Sequence, residues 1–404
     1  DFSLSKLGLM SQTSICWENQ LSVIRTLVVA FFFLGVGLVM WGCQSEDRCI
    51  ADESQPDSCW CPGYKGRSCD IVDESFGASW MQWLGDNASG WTELRLRDIA
   101  LPGTHDAASG YLERSGSNIR IDGSRSGNDL VVNFPELASG WAKTQENSLI
   151  EQLHAGVRFF DLRMVLNIGG GATFHHGDVH WDTEAMPVFE EFRDFLLTHS
   201  REVVVFSMTH FVGGANTEVG HRRFAEKLYS IFGDLLIPAS MNAPGRTMEE
   251  ILSTKGRLVV FYQRSNGEGF WEDASSSYLY PIERISSKYD VRVNTGPKLD
   301  EHLDLEAVEP VEDLKVIQAH LQYSQEIIQN DLTSSIERYT IEEAANERVL
   351  AWLQRSRENP RAFIQIVQLD YYELMARDLL EELANINRAT SRRRASMDDC
   401  ALPD

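Results

Sequence analysis

Ionisable side chains stand at the ends of several apolar segments of this sequence. The run LPGTHDA carries His105 and Asp106 after one such segment, and FFDLR carries Asp161 and Arg163 within another. Successive side chains of a strand alternate between its faces, so Asp161 and Arg163 share a face. Such groups are costly to bury unless they are paired or functional. Three further segments end in FHHG, MTHF and QLDYY and add the candidates His175, His176, His210 and Asp370.

Histidines, carboxylates and an arginine together are suited to splitting a phosphodiester. Imidazoles can serve as general base and general acid near neutral pH, and a neighbouring carboxylate fixes their tautomer. A guanidinium matches phosphate oxygens with a planar pair of donors. The sequence has no H-E-x-x-H motif and no compact carboxylate cluster, so we expect no metal or cofactor. His175 and His176 alternate, so one of them is expected to face away, and no catalytic role is expected for His154, His180 or His199.

Alternating strands and helices are predicted to bring these segment ends together. About seven strands with crossover helices indicate an α/β fold, a closed (β/α) TIM-type barrel. The Gly- and Ser-rich segment 107–145 is predicted to be a long active-site loop, and the tail 389–404 is predicted to be disordered. Strands are predicted over 94–101, 157–166, 172–176, 203–211, 257–264, 315–323 and 363–371. Helices are predicted over 186–200, 221–236, 340–356 and 371–388, the third with a capping box at Thr340 and Glu343.

The amino-terminal part of the chain is predicted to anchor it in a membrane. The uncharged run Thr26–Cys43 is long enough to span a bilayer as a helix. Basic residues before it and acidic residues after it predict a cytoplasmic segment 1–25, a single-pass anchor 26–45 and an extracytoplasmic remainder. A cleaved signal, or a lipoprotein anchored at Cys43, is the alternative. The net charge of −23 argues against a nucleic-acid partner.

Residues 46–70 are rich in cysteine, which suits an oxidising compartment. Zinc is the less favoured alternative because there is no second C-x-x-C and no nearby histidine pair. The stretch CWCPGYKGRSC resembles the second half of an EGF-like module. That resemblance implies a small stapled segment with bridges Cys61–Cys69 and Cys49–Cys59.

The motifs LPGTHDA, SLIEQLHAGVRFFDLR, FHHG, REVVVFSMTHF and QLDYY resemble, in this order, the X domain of phosphatidylinositol-specific phospholipases C. The resemblance is closest to the metal-independent bacterial enzymes and the small X-domain-containing proteins of eukaryotes. It implies a distorted barrel over 90–388, with Arg163 on the phosphate and Asp161 behind it. Calcium-dependent relatives have an acidic ligand where this sequence has Arg163, so calcium is not expected.

The same resemblance assigns the acid and the base. It implies that His105 is the general base, oriented by Asp370, and that His176 is the general acid, supported by Asp106.

The predicted head-group contacts depart from the bacterial pattern. Where His210 falls those enzymes have a lysine, and their arginine aligns ambiguously with Gln263 or Arg264. Tyr289 is the expected ring-stacking tyrosine, and Ser287 replaces an aspartate. We therefore expect His210, Arg264 and Tyr289 to bind substrate.

These observations predict metal-independent cleavage of a membrane glycerophospholipid. Phosphatidylinositol is the expected substrate, and diacylglycerol and a cyclic inositol phosphate are the expected products. A metal-dependent glycerophosphodiester phosphodiesterase and a non-catalytic surface-binding protein on the same barrel are the alternatives.

Overall fold

The computed structural model describes residues 50–52, 55–65, 71–120, 133–264, 276–307, 311, 313–359 and 361–398. The chain divides into two compact units, the first formed by Asp1–Cys61 and Gly66–Asp70 and the second by Pro62–Lys65 and Ile71–Asp404. In the first unit, strands β1 (Ile50–Asp52) and β2 (Gln55–Trp60) pair antiparallel.

Most of the described elements belong to the second unit. Its strands are β3 (Tyr64–Lys65), β4 (Ile71–Val72), β5 (Leu101–Thr104), β6 (Ile119–Arg120), β7 (Phe159–Leu166), β8 (Ala172–His176), β9 (Val179–Trp181), β10 (Val204–Val212), β11 (Leu258–Tyr262), β12 (Leu279–Pro281), β13 (Ile285–Ser287), β14 (Leu314–Gln318) and β15 (Ile366–Leu369). Its helices are α1 (Trp80–Asn87), α2 (Pro135–Ala142), α3 (Leu149–His154), α4 (Ala185–Thr198), α5 (Glu218–Phe232), α6 (Met248–Leu252), α7 (Gly296–Glu306), α8 (Gln325–Asn330), α9 (Ile336–Glu342), α10 (Ala345–Arg357) and α11 (Ala376–Asp398).

Eight parallel strands form the predicted barrel in sequence order. Their spatial order is β12-β11-β10-β7-β5-β15-β14-β13. The barrel strand that comes last in the chain, β15, therefore pairs with the one that comes first, β5. Among the described strands β12 and β13 are not paired, and the barrel is open between them. A distorted (β/α) barrel is thus confirmed, and the carboxyl ends of its strands meet at one rim.

The segment 172–176 was expected to be a barrel strand, but β8 lies outside the barrel. It folds back antiparallel on β7, with Phe174 opposite Met164, and pairs on its other edge with β9. The end of β7 extends beyond the rim, and β8 runs antiparallel to it. The carboxyl end of β8, which carries His176, therefore lies beside the part of β7 that carries Arg163.

The start of the first barrel strand differs from the prediction. Residues 94–101 were expected to be the strand, but they include a 3₁₀ turn at Leu96–Asp98, and β5 begins only at Leu101. Pro102 and Gly103 therefore lie inside the strand. A Cβ at Gly103 would lie 3.0 Å from Phe159 Cδ1, so close packing between β5 and β7 explains the glycine.

The predictions for the helix at 340–356 and for the carboxyl-terminal tail also need correction. The helix expected over 340–356 is two helices, α9 and α10, separated by Ala344 with a φ of 49°. Thr340 is not a cap, because its hydroxyl donates to the Ile336 carbonyl within α9. The expected disordered tail 389–404 is helical as far as Asp398.

Segment 107–145 was expected to be a loop and instead contains short elements. A 3₁₀ helix spans Ala107–Tyr111, β6 follows, and α2 begins at Pro135. Residues 121–132 lie outside the described part of the chain.

A buried ion pair fixes the amino-terminal end of the barrel. Arg158 Nη2 lies 2.8 Å from Glu202 Oε2, and the same guanidinium donates to the carbonyls of Gly77 and Ala78. The amide of Gln82 donates to the other Glu202 oxygen. One carboxylate and one guanidinium thus attach the 77–82 segment to the barrel.

The prediction of a single-pass membrane protein is corrected by the structure. Across the described residues, every helix is too short or too polar to cross a bilayer. The predicted segments 1–25 and 26–45, and the alternative lipid site at Cys43, lie outside the described residues.

The EGF-like segment is not shown either. Cys61 is disulfide-bonded, but Cys49 and Cys69 lie outside the described residues, as does the Cys59 side chain. The pairings Cys61–Cys69 and Cys49–Cys59 stay predictions.

Candidate active site

His105 and Asp370 meet where the neighbouring strands β5 and β15 end. His105 Nδ1 lies 2.9 Å from Asp370 Oδ1, and the Asp370 carboxyl is buried. Asn346 on α10 donates its side-chain amide to the Asp370 carbonyl at 3.2 Å, which fixes that backbone. The histidine is thereby oriented by a carboxylate that is itself held in place.

Arg163 on β7 determines the tautomer of His105. Its Nη2 lies 2.9 Å from His105 Nε2, and a guanidinium has only donors. This donor favours the tautomer in which Nδ1 carries the proton donated to Asp370, while His105 Nε2 also lies 3.2 Å from Asp106 Oδ2. Arg163 also contacts two carboxylates, with Nε 2.7 Å from Asp106 Oδ1 and Nη2 3.5 Å from Asp161 Oδ2.

His176 differs from His105 because both of its ring nitrogens face oxygen atoms. Its Nδ1 lies 2.9 Å from the Ala142 carbonyl, and its Nε2 lies 3.1 Å from Asp106 Oδ2. Both partners are oxygen acceptors when Asp106 is ionised, and a neutral imidazole can donate to only one of them. An ionised Asp106 therefore favours a doubly protonated His176.

Burial shapes the protonation of these pairs. It lowers the pKa of His105 to about 3, with the Arg163 charge adding to the effect, and raises the pKa of Asp370 to about 6. Burial also raises the pKa of Asp106 and lowers that of His176, so it disfavours the charged form of each group. Asp161 differs: burial opposes its ionisation, but the charges of Arg163, His105 and His210 and a hydrogen bond from the Asp106 amide together outweigh burial, and the pKa is lowered.

The end of the segment 107–145 supports the site. The Thr144 hydroxyl donates to the His105 carbonyl at 2.7 Å, and the Gln145 amide donates to the Leu369 carbonyl at 2.8 Å. Asp106, which follows His105 in the turn, has a φ of 41°. A non-glycine residue rarely adopts this conformation, and it persists where surrounding contacts determine it.

A cavity of about 440 Å³ opens beside Arg163 and is lined also by His210, Gln263 and Arg264. His210 is exposed at a bulge of β10, with a φ of 52°. Its amide donates to the Gln263 side chain, and its carbonyl lies 2.7 Å from His175 Nε2. The structure thus places His175 outside the His105–His176 cluster, where it supports the backbone of the cavity wall.

The remaining predicted residues lie around this centre. Arg264 is 3.8 Å from Glu218, and Tyr289, which is 58% exposed, lies outside the cavity lining. Ser287 accepts from the Gln318 amide. His154 lies exposed on α3, away from the cluster.

The sequence analysis missed His320. Its ring stacks on that of His105 at 4.2 Å, and its Nδ1 lies 3.5 Å from Asp370 Oδ2. A strand was expected over 315–323, which placed this histidine inside it. Because β14 ends at Gln318, His320 stands just past a strand end, the same signal that singled out His105.

Two groups of side chains in the described part of the chain could offer metal ligands. His105, His320 and Asp370 form one, but the two imidazoles lie only 11° from parallel. The lone pair of a ring nitrogen lies in the ring plane, so one ion cannot lie in both planes. His105, Asp106 and His176 form the other, and there the Arg163 guanidinium already supplies the positive charge. Neither arrangement suits a cation.

Residues 137–264 match the family model described as phosphatidylinositol-specific phospholipase C, X domain. Residues 137–264 of this chain are thus an X domain of the PI-PLC type. The matched range contains Asp161, Arg163, His176 and His210, while His105 precedes it. The family expected from the motifs is therefore confirmed.

Individual relatives agree with this assignment. The chain is 27% identical over 310 residues to PI-PLC X domain-containing protein 3 of Danio rerio, covering 74% of this chain and 89% of that protein. It is 27% identical over 226 residues to 1-phosphatidylinositol phosphodiesterase of Staphylococcus aureus strain Newman, covering 54% of this chain and 61% of that protein. A structure of the S. aureus phosphatidylinositol-specific phospholipase C matches with a TM-score of 0.52 and 19% identity, over 77% of this chain and 97% of that chain. At this identity the structural match supports the barrel fold.

Proposed function

We propose that this X-domain protein is a phospholipase C that cleaves phosphatidylinositol into diacylglycerol and a cyclic inositol phosphate without a metal. One observation carries the proposal, the position of two imidazoles around the Asp106 carboxylate and beside Arg163. His105 Nε2 lies 3.2 Å and His176 Nε2 lies 3.1 Å from Asp106 Oδ2, and Arg163 Nε lies 2.7 Å from Asp106 Oδ1. A base and an acid beside one guanidinium are the groups needed for in-line cleavage of a phosphodiester.

In the proposed first half of the reaction, the substrate supplies its own nucleophile. The 2-hydroxyl of inositol adjoins the phosphate, so its attack is intramolecular and gains from high effective molarity. His105 Nε2 removes the hydroxyl proton, and Asp370, 2.9 Å from Nδ1, stabilises the resulting imidazolium. Arg163 covers that lone pair in the free site, so the phosphate must first draw the guanidinium onto its own oxygens.

In the second half, His176 delivers its proton to the departing diacylglycerol oxygen. Asp106 Oδ2, at 3.1 Å, keeps that proton available although burial disfavours an imidazolium. Arg163 binds the phosphate oxygens as negative charge builds, and Asp161 holds the guanidinium from behind.

We further propose that the inositol ring enters the cavity beside Arg163. His210 and Arg264 line it and offer donors and acceptors for ring hydroxyls, and Tyr289 would cover the ring from the rim. His210 in place of the bacterial lysine removes a permanent positive charge from the head-group cavity.

The test is to incubate the full chain with vesicles containing phosphatidylinositol, or one of several other glycerophospholipids, with and without EDTA. Phosphorus NMR should show a cyclic phosphodiester first, and EDTA should have no effect. His105→Ala and His176→Ala should each lower kcat at least about a hundredfold.

Other outcomes identify the alternatives. A linear monoester as first product, with activity abolished by EDTA, would indicate a metal-dependent phosphodiesterase. Binding to the vesicles without turnover of any lipid would indicate a non-catalytic binding protein.

A further inference from the structure

The tips of three adjacent barrel strands carry His320, Asp370 and His105. The strands β14, β15 and β5 pair side by side, so the three residues that follow them form a row at the rim. Only the last two have a role in the proposed reaction. His320 is 2% exposed and is a buried titratable group with no assigned function.

The Asp370 carboxylate is engaged from both sides by imidazoles. Oδ1 lies 2.9 Å from His105 Nδ1, and Oδ2 lies 3.5 Å from His320 Nδ1. His320 Nδ1 donates to the Leu321 carbonyl at 3.0 Å, so it carries a proton that also lies on the side of Asp370 Oδ2. The Asp370 carboxylate therefore cannot rotate without losing a partner.

The two rings are also stacked face to face. Their centroids lie 4.2 Å apart, and their planes differ by 11°. Both Nδ1 atoms face Asp370, so both Nε2 atoms point away from it, toward the side where His105 meets Arg163. The His320 ring covers one face of the His105 ring. It thereby keeps the Nε2 atom of His105 directed toward Arg163, where the proposed substrate phosphate would bind.

We propose that His320 is a positioning residue for the general base, because it holds Asp370 with Nδ1 and covers one face of the His105 ring. The assignment rests on the function proposed above. Burial lowers the pKa of His320 to about 4, so the ring is neutral at neutral pH. It therefore adds no positive charge beside the imidazolium that forms on His105.

Three variants separate the two contributions. His320→Phe keeps a flat ring over His105 but loses the donor to Asp370, His320→Asn keeps a donor but loses the ring, and His320→Ala loses both. His320→Ala should lower kcat about a hundredfold, the scale of a small misplacement of a reacting group, with KM changed less than about threefold. Phe and Asn should each restore part of kcat.

A spectroscopic measurement tests the positioning without depending on turnover. Proton NMR of the native chain should show a downfield signal for the His105 Nδ1–H donated to Asp370. This signal should persist in His320→Phe, because the ring stays covered, and broaden or vanish in His320→Ala. The matched control is His302→Phe on α7, which should keep kcat within about twofold because it lies outside the site.

The outcomes distinguish the two proposals. Absence of lipid cleavage by the native chain would overturn the proposed function, while the Nδ1–H signal would still report whether His320 orients His105. A folded His320→Ala with near-native kcat and an intact signal would overturn the positioning role. If that variant unfolds, His320→Phe and His320→Asn are compared instead. If these two variants lose the same fraction of kcat and the same number of degrees in melting temperature, His320 only packs the core.

Discussion

Replacement of Asp106 by asparagine gives the sharpest test of the proposed acid. Asparagine has the same shape as aspartate and tolerates the left-handed φ of 41° at this position better than alanine does. The change removes only the negative charge that His176 and Arg163 contact. Asp106→Asn therefore isolates the electrostatic contribution of this carboxylate.

The magnitude follows from the contact that the change weakens. A positioned proton donor contributes about 10²–10⁴-fold to a rate. Loss of the charge 3.1 Å from His176 Nε2 weakens that donor, so kcat should fall at least about tenfold. Arg163 keeps Asp161 as a counter-ion in this variant.

The pH profile adds a second signature. Activity requires the proton on the His176–Asp106 pair, and without the carboxylate that proton is lost at lower pH. The alkaline limb of kcat/KM should therefore move to lower pH in Asp106→Asn. Asp182→Asn, which changes an exposed aspartate paired with Arg120, is the matched control and should keep native kinetics. Native kcat and an unmoved alkaline limb in a folded Asp106→Asn would refute this account of the acid.

Other predictions use the same site and the base of the barrel. Arg163→Lys should lower kcat/KM at least about a hundredfold, since an ammonium lacks the planar fork, and a folded, fully active variant would exclude the guanidinium role. In the native chain, kcat/KM should fall as the pH drops through about 6. Burial raises the pKa of Asp370 to about 6, and its protonation removes the negative charge that stabilises the His105 imidazolium. A flat kcat/KM profile down to pH 5 would contradict this. Glu202→Gln leaves Arg158 buried without its counter-ion, so urea unfolding should show a loss of about 3–5 kcal/mol, and a loss below 1 kcal/mol would contradict that role.

The sequence indicated which side chains lie together at the rim where a polar residue interrupts or ends an apolar strand. His105 and Asp370 follow strands in this way, and Asp161 and Arg163 share a strand face. Alternation alone could not decide between His175 and His176, because their strand folds back outside the barrel through a hairpin. His320 escaped notice because the end of β14 was placed too late along the chain.

Other features depend on long-range contacts that leave no local pattern. The break between α9 and α10 occurs at an alanine, which favours helix, and only its φ of 49° reveals it. The alternating Leu-Arg-Leu pattern at 94–96 satisfies strand periodicity, yet Arg95 forms only an isolated antiparallel bridge with Thr247, and a 3₁₀ turn follows at Leu96–Asp98. Short strands and turns can show the same alternation of apolar and polar residues. Tertiary contacts therefore decide which of the two a segment forms.

The charge balance of the site explains how it could bind an anion without a metal. Arg163 cancels the ionised Asp161, and Asp370 adds one negative charge. If Asp106 were also a bare carboxylate, the site would carry two negative charges and repel a phosphodiester. Burial raises the pKa of Asp106 and so opposes that second negative charge. In the proposed reaction His105 takes one proton from the substrate hydroxyl and His176 gives one to the leaving group, so the net charge of the site is the same before and after cleavage.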